Sequence, residues 1–216
     1  NRIFQADPSR IFGRIDANGR VFLLNRNGIV FEPGSQANVG GLLASTLDFS
    51  PAAVELGLAR AASQRAPALQ PYVGADGSPL PSGAVEIGEG SRITTPSGGQ
   101  VLIFAPEIHN RGEIRTPDGQ ILMAAGQRAF LVASPDADVR GLLVEVGDGG
   151  TVTNGDPAAG VAIVGSLVAD RGNVTIAAAA VNQSGRISAT TSTRANGSIR
   201  LLARDTQRTT LPGVNQ

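Results

Sequence analysis

Short runs with aliphatic side chains at alternate positions recur along the chain, and each is introduced by a glycine or an asparagine. Gly99-Gln100-Val101-Leu102-Ile103-Phe104-Ala105 aligns with Gly119-Gln120-Ile121-Leu122-Met123-Ala124-Ala125 at an offset of 20 residues. Related words are Gly172-Asn173-Val174-Thr175-Ile176-Ala177 and Gly197-Ser198-Ile199-Arg200-Leu201-Leu202. A turn-plus-strand variant stands at Asn110-Arg111-Gly112-Glu113-Ile114 and at Asn182-Gln183-Ser184-Gly185-Arg186-Ile187. The Gly or Asn takes a left-handed corner, and the alternate aliphatic side chains that follow point inward. One coil of about 20 residues cannot bury its inward face alone, so coils stack with strands about 4.8 Å apart and satisfy one another's backbone hydrogen bonds. The chain always advances in one direction, so stacked strands run parallel. The pattern predicts an all-β parallel β-helix. An antiparallel sandwich also has short strands, but rarely repeats one Gly-polar-aliphatic word at these offsets.

Two stretches interrupt the pattern and are expected to be extra-helical excursions from a single domain spanning residues 1–216, near 51–83 and 134–156. Pro51 to Ala66 is Ala-rich and reads as a short helix or an irregular segment, and Pro67 to Gly83 is Pro- and Gly-rich loop. Ser134 to Val144, followed by Gly147 to Gly155, reads as a second excursion with hairpin character.

Composition supports the solenoid. Hydrophobic residues make up 41% of the chain but aromatics only 4%, so stacked Val, Ile, Leu and Ala must fill the interior. The 28 Gly and 13 Pro are spread along the chain, which implies many short strands. Net charge is zero, and all 18 basic residues are scattered arginines, so no stripe points to nucleic acid or anionic lipid. No apolar run reaches the roughly 20 residues of a membrane span, so no membrane insertion is expected. With no Cys, neither disulfides nor thiolate metal sites arise. The chain begins without Met or a signal region and reads as a processed or excised piece.

The sharpest signal lies in residues 18–49. Asn25-Arg26-Asn27-Gly28-Ile29 is a corner before the strand Ile29-Val30-Phe31: the asparagines hydrogen-bond their own backbone and Gly28 supplies a positive φ. Asn38-Val39-Gly40-Gly41-Leu42-Leu43-Ala44-Ser45-Thr46 follows, its glycine pair fitting a close-packed corner. These motifs resemble the NPNGI and NVGGLVAST-like segments of the N-terminal secretion domain of filamentous-haemagglutinin-type two-partner secretion exoproteins. Arg26 stands where the family usually has Pro, which leaves the turn less rigid. The resemblance implies a Gram-negative exoprotein of adhesin, haemagglutinin, haemolysin or toxin-carrier type. Such a protein passes through the periplasm, crosses a dedicated outer-membrane β-barrel transporter unfolded, folds outside as a right-handed parallel β-helix, and ends secreted or at the cell surface. Through the full-length protein it meets host or neighbouring cells. The motif residues Asn25, Asn27, Gly28, Ile29, Asn38, Val39, Gly40, Gly41, Ser45 and Thr46 would then either recognise the transporter or build β-helix corners. The family's domain usually starts earlier, with a cap and an NPNL motif that is not found here, so residue 1 is expected to fall inside the domain and leave strand edges exposed.

Catalysis is not expected, nor is any cofactor or metal. The rival reading is a polysaccharide-acting or carbohydrate-binding β-helix with carboxylates on one outer face; a third is a structural stalk without transporter contact. Glu86 and Glu107 are 21 residues apart, and Asp118 and Asp138 are 20 apart, so each pair can stack on adjacent coils. Nothing nearby suggests the burial that would separate their pKa values for acid/base work. His109 is the only histidine and has no nucleophile motif to serve. Asp148-Gly149-Gly150 and Asn154-Gly155-Asp156 match no Ca²⁺ loop.

Overall fold

The computed structural model describes residue 3 and residues 6–134, 141–156, 165–190 and 198–203. Within them the chain winds a parallel β-helix of triangular section, each coil contributing strands to three faces. The first coil holds β1 (Ser9–Ile11) and β2 (Arg14–Leu24), and the second β3 (Ile29–Phe31) and β4 (Gln36–Ser45). β2 and β4 are long because each turns the corner between the second and third faces without a break. A first loop then leaves the coils, carrying β5 (Asp48–Phe49), α1 (Pro51–Leu56), a 3-10 turn and β6 (Leu69–Gln70). α1 forms where the Ser50 hydroxyl accepts the Ala53 N–H and Pro51 occupies the first turn.

The third coil comprises β7 (Val85–Ile87), β8 (Arg92–Thr94) and β9 (Gln100–Ala105), and the fourth β10 (Glu107–Asn110), β11 (Glu113–Arg115) and β12 (Gln120–Ala125). A second loop, the hairpin of β13 (Arg128–Ala133) and β14 (Leu142–Gly147), separates these from the fifth coil, β15 (Thr151–Asn154), β16 (Ser166–Asp170) and β17 (Asn173–Ala178). Thr151 to Asn154 therefore belong to a coil rather than to the excursion. The sixth coil comprises β18 (Ala180–Gln183), β19 (Arg186–Thr190) and β20 (Ser198–Ala203).

The first face is a six-stranded parallel sheet ordered β1-β3-β7-β10-β15-β18. The second and third faces form one ten-stranded sheet that bends through β2 and β4. Inward side chains stack in register. One column runs Val21, Leu42, Val101, Ile121, Val174, Ile199, and its four central members are at most 2% exposed. The 20-residue offset read from the sequence is the pairing of β9 with β12, Gln100 to Ala105 against Gln120 to Ala125.

The two loops meet. β5, β6, β13 and β14 form a four-stranded antiparallel sheet, ordered β14-β13-β6-β5, over the outside of the third face. A second core lies between them, in which Leu43, Leu102, Phe104 and Leu122 from the coils pack against Leu47, Leu69, Ala129 and Leu131. Gln120 fastens the hairpin: its Nε2 donates to the Leu142 carbonyl (2.7 Å) and its Oε1 accepts the Leu142 N–H (2.8 Å). Ion pairs tie the outside of neighbouring coils, among them Arg10–Glu32, Arg92–Glu113, Arg115–Asp170 and Arg171–Asp118.

Candidate functional site

The first motif is the corner that carries the chain from the third face of the first coil to the first face of the second. Asn25 is fully buried there. Its Oδ1 accepts the Asn27 N–H (3.0 Å), and its Nδ2 donates to the Asp7 carbonyl and the Ser9 hydroxyl (3.0 Å each). Gly28 has φ +128°, and a Cβ at this position would stand 3.3 Å from both the Ala84 carbonyl and the Pro8 ring. Ile29 enters the interior, fully buried.

The second motif fills β4 and the corner after it. Asn38 points outward from the second face: its Nδ2 donates to Asp16 Oδ1 (3.0 Å) and its Oδ1 accepts the Thr94 hydroxyl (2.6 Å). It thus bridges the first and third coils, and the Asn38 amide, with Arg14 beside it, holds the Asp16 carboxyl below its ordinary range. Val39 is inside. At Gly40 the previous coil bulges between Ala17 and Arg20, and a Cβ there would lie 2.4 Å from the Asn18 carbonyl. Ser45 and Thr46 are buried; the Ser45 hydroxyl donates to the Leu47 carbonyl and accepts the Leu47 N–H, both at 2.9 Å. The Thr46 N–H donates to the Phe104 carbonyl (3.0 Å), and its hydroxyl is buried without a partner among the described residues.

The two motifs form one structural unit. Leu24 pairs with Ser45, and the next residue, Asn25, donates its N–H to the Ser45 carbonyl (3.1 Å). The start of the first motif therefore stacks on the end of the second, one coil later, which is why they are spaced as they are. Asn25, Ile29, Val39, Gly41, Ser45 and Thr46 are buried, while Asn27, Asn38 and Gly40 are only partly so. Beside the second motif opens a groove of about 500 Å³, with Gly41, Leu42 and Leu43 in its lining.

A second set of corner amides escaped the sequence reading. Between the first and second faces, Asn110 donates to Asn154 Oδ1 (2.7 Å) and Asn154 to Gln183 Oε1 (3.0 Å). Gln183, rather than Asn182, continues this ladder. Asn-x-Gly and Asn-Gly were the available signals, but the alignment of Asn110 with Asn182 hid the register.

The carboxylate pairs do not form as spaced. Glu86 stands opposite His109 rather than Glu107, which faces Thr151. Asp118 is ion-paired with Arg171, while Asp138 lies outside the described residues. His109 Nε2 is 3.7 Å from Glu107 on an open face. Asp148 pairs with Arg128. Among the described residues no group of three or more acidic, His or Cys side chains converges on a metal-sized site, and no helix is long and apolar enough to cross a membrane.

Comparison with known proteins decides what this corner belongs to. The family described as TPS secretion domain matches residues 1–211. The chain belongs to that family. A TPS secretion domain is the exported portion of a two-partner system, whose other member is an outer-membrane transporter, and its family is not a catalytic one. Two relatives are similar over 48 residues, both named heme/hemopexin-binding protein. One, of Haemophilus influenzae, is 46% identical; the other, from strain KW20 / Rd of that organism, is 44% identical. Each match covers 22% of this chain and 5% of the relative, so the chain spans a small part of the length of these curated relatives.

Proposed function

We propose that this TPS secretion domain is the recognition element of a large adhesin- or haemagglutinin-like exoprotein, bound in the periplasm by its dedicated outer-membrane transporter and folded coil by coil once outside. The observation that carries the reading is the joined motif corner. The two segments that resemble the family's motifs meet at the Asn25–Ser45 hydrogen bond and join the two coils that carry them. Each coil needs its neighbour to satisfy its backbone, so a chain that crosses unfolded gains these bonds only on the far side. Two coils joined at this corner give that growth a base on which the next coil stacks.

Within this reading, Asn25, Gly28, Ile29, Val39, Gly40, Ser45 and Thr46 serve the corners. Asn27 and Asn38 are the motif asparagines whose side chains the folded coils leave partly exposed, so their substitution separates recognition from folding best. The haem-related name of the relatives is not carried over. Their match is 48 residues long, and the lining of the groove beside the second motif holds no His, Cys, Met or Tyr to ligate a haem iron.

The test is secretion from cells that co-express the full-length exoprotein and its transporter. Release that depends on the transporter supports the function. Asn25→Ala strands the groups that its buried amide satisfies and is expected to cost about 1–3 kcal/mol of stability. It should lower release in step with folding. Asn38→Ala should leave folding nearly intact, so a drop in its release would mark Asn38 as a contact. Release that is equal with and without the transporter would end the proposal.

A further inference from the structure

The described residues hold three Asn-Gly pairs, and the fold treats them differently; a fourth, Asn196-Gly197, lies outside the described residues. Asparagine is chemically labile before glycine, because the glycine nitrogen reaches the asparagine Cγ with no Cβ in the way. At Asn27-Gly28 the fold hinders that approach. The Asn27 amide donates to Asn25 Oδ1 (3.3 Å), the Gly28 N–H donates to the Asn25 carbonyl (3.1 Å), and Gly28 is buried. Asn154-Gly155 is held more firmly still. Both residues are buried, Asn154 sits in the corner ladder between Asn110 and Gln183, and the Gly155 N–H donates to the Asn110 carbonyl (2.8 Å).

Asn18-Gly19 is neither buried nor tied by its side chain. Both residues are exposed on β2, and the Asn18 amide has no hydrogen-bond partner among the described residues. The pairing of β2 with β4 passes over them: Ala17 pairs with Val39 and Arg20 with Gly41, so the two residues bulge opposite Gly40. No atom lies within 4 Å of where a Gly19 Cβ would stand, so this side of the bulge is open. Among the described residues, this is the Asn-Gly pair whose side chain is free to turn onto the next nitrogen.

We propose that Asn18-Gly19 is a site of spontaneous deamidation in the folded domain, and that its isoaspartate product loosens the joint between the first coil and the second motif. The Gly19 nitrogen loses its proton and bonds to Asn18 Cγ while the Cγ–Nδ2 bond breaks, and the departing nitrogen leaves as ammonia. The succinimide that remains takes up one water. Breaking the new Cγ–N bond gives aspartate; breaking the original peptide bond gives isoaspartate, whose main chain runs through Cβ and Cγ and is longer by one methylene. The Asn18 carbonyl is the group that stands 2.4 Å from the position of a Gly40 Cβ. In isoaspartate it becomes a free carboxylate, so both the charge and the extra length fall where the two coils approach most closely. The reaction needs only water and is independent of recognition by the transporter.

The test is to hold the purified chain in warm, mildly alkaline buffer, sample it over days and quench each sample in acid. Cleavage after arginine puts the three pairs on separate peptides, and mass spectrometry follows deamidation on each. In the folded chain Asn18 should react about tenfold or more faster than Asn27 or Asn154, whose reaction waits for a local opening. In guanidinium chloride the three rates should converge, and Gly19→Ala should slow the reaction at Asn18. Folded rates that are alike at the three pairs, or an Asn18 that reacts only in denaturant, would overturn the site. Aged chain should then unfold at a lower denaturant concentration than fresh chain. Aged Asn18→Gln, which lacks the reacting asparagine, and fresh Asn18→Asp, which carries the charge on an unaltered backbone, should not. Aged chain that unfolds together with these two variants refutes the loosening of the joint.

Discussion

The first and third faces are built by the same coils, yet they bury their strands differently. On the first face Val85, Ile87, Ile108 and Val152 point into the solenoid and are fully buried, while Glu86, His109 and Thr153 alternate with them toward solvent. On the third face β12 is buried at every position and β9 at every position but Gln100. The interior is common to both; what differs is the outside, which on the third face is covered by the sheet formed from the two loops. A strand covered on one side alternates in sequence, and one covered on both sides reads as a continuous aliphatic run. The excursions are therefore a second layer whose removal would expose an apolar sheet face.

The comparison is most easily broken by substituting outward residues. Phe104 faces outward on the third face and is fully buried in the second core, so Phe104→Ala should cost about 3–5 kcal/mol in urea unfolding. His109 faces outward on the first face and is partly exposed, so His109→Ala should stay within about 0.5 kcal/mol. Similar costs for the two would mean that the loop sheet does not seal the third face.

Much of this fold was legible because the chain repeats one physical solution. Gln100 to Ala105 and Gln120 to Ala125 carry the same word, and that word is the stacking register. The corner residues Asn25, Gly28 and Gly40 were legible as corners because their types admit few other uses. The second layer was less so. Leu102, Phe104 and Leu122 look like ordinary alternation partners of Val101, Ile103 and Ile121 until something is known to cover them. What covers them comes from two loops at once, from residues as far apart in the chain as Leu47, Leu69 and Leu131, a pairing no local pattern encodes. The joining of the two motifs was hidden for the same reason: Asn25 and Ser45 meet only once the coil between them has closed. The groove depends on Phe49, Val54 and Leu58, which belong to an irregular loop with no periodicity to read.

Within the motif region the contrast narrows to two glycines that face each other across the first two coils. Gly40 has backbone against it, with the Asn18 carbonyl 2.4 Å and the Gly19 carbonyl 2.9 Å from where a Cβ would sit. Gly40→Ala should therefore force the coils apart and cost about 1–3 kcal/mol. Gly19, on the bulge opposite, has no atom within 4 Å of its own Cβ position and no left-handed φ. Gly19→Ala should be neutral or stabilise by up to about 1 kcal/mol through the unfolded chain. Chemical unfolding of both variants checks this. A harmless Gly40→Ala would show that the motif's glycine is kept for something other than the close approach of the bulge.

The smallest expected effect concerns the outward side of the same two coils, where Asp16, Arg14 and Asn38 form an exposed polar cluster. The Asn38 amide first, and the Arg14 guanidinium second, lower the Asp16 pKa from its ordinary 3.8. A carboxyl lowered in the folded state stabilises the fold while it is charged. The contribution is thus present above the unfolded value and is lost as pH falls through the folded one. Asp16→Asn should consequently melt slightly below the unaltered domain near neutral pH, with the gap closing in acid below about pH 4. Solvent surrounds the group and added salt should shrink the gap further, since exposed pairs are weak and screened. A gap that stays constant from neutral to acid would assign the loss to packing at the bulge rather than to charge. The outer clasp between coils would then depend on Asn38 and Thr94 alone.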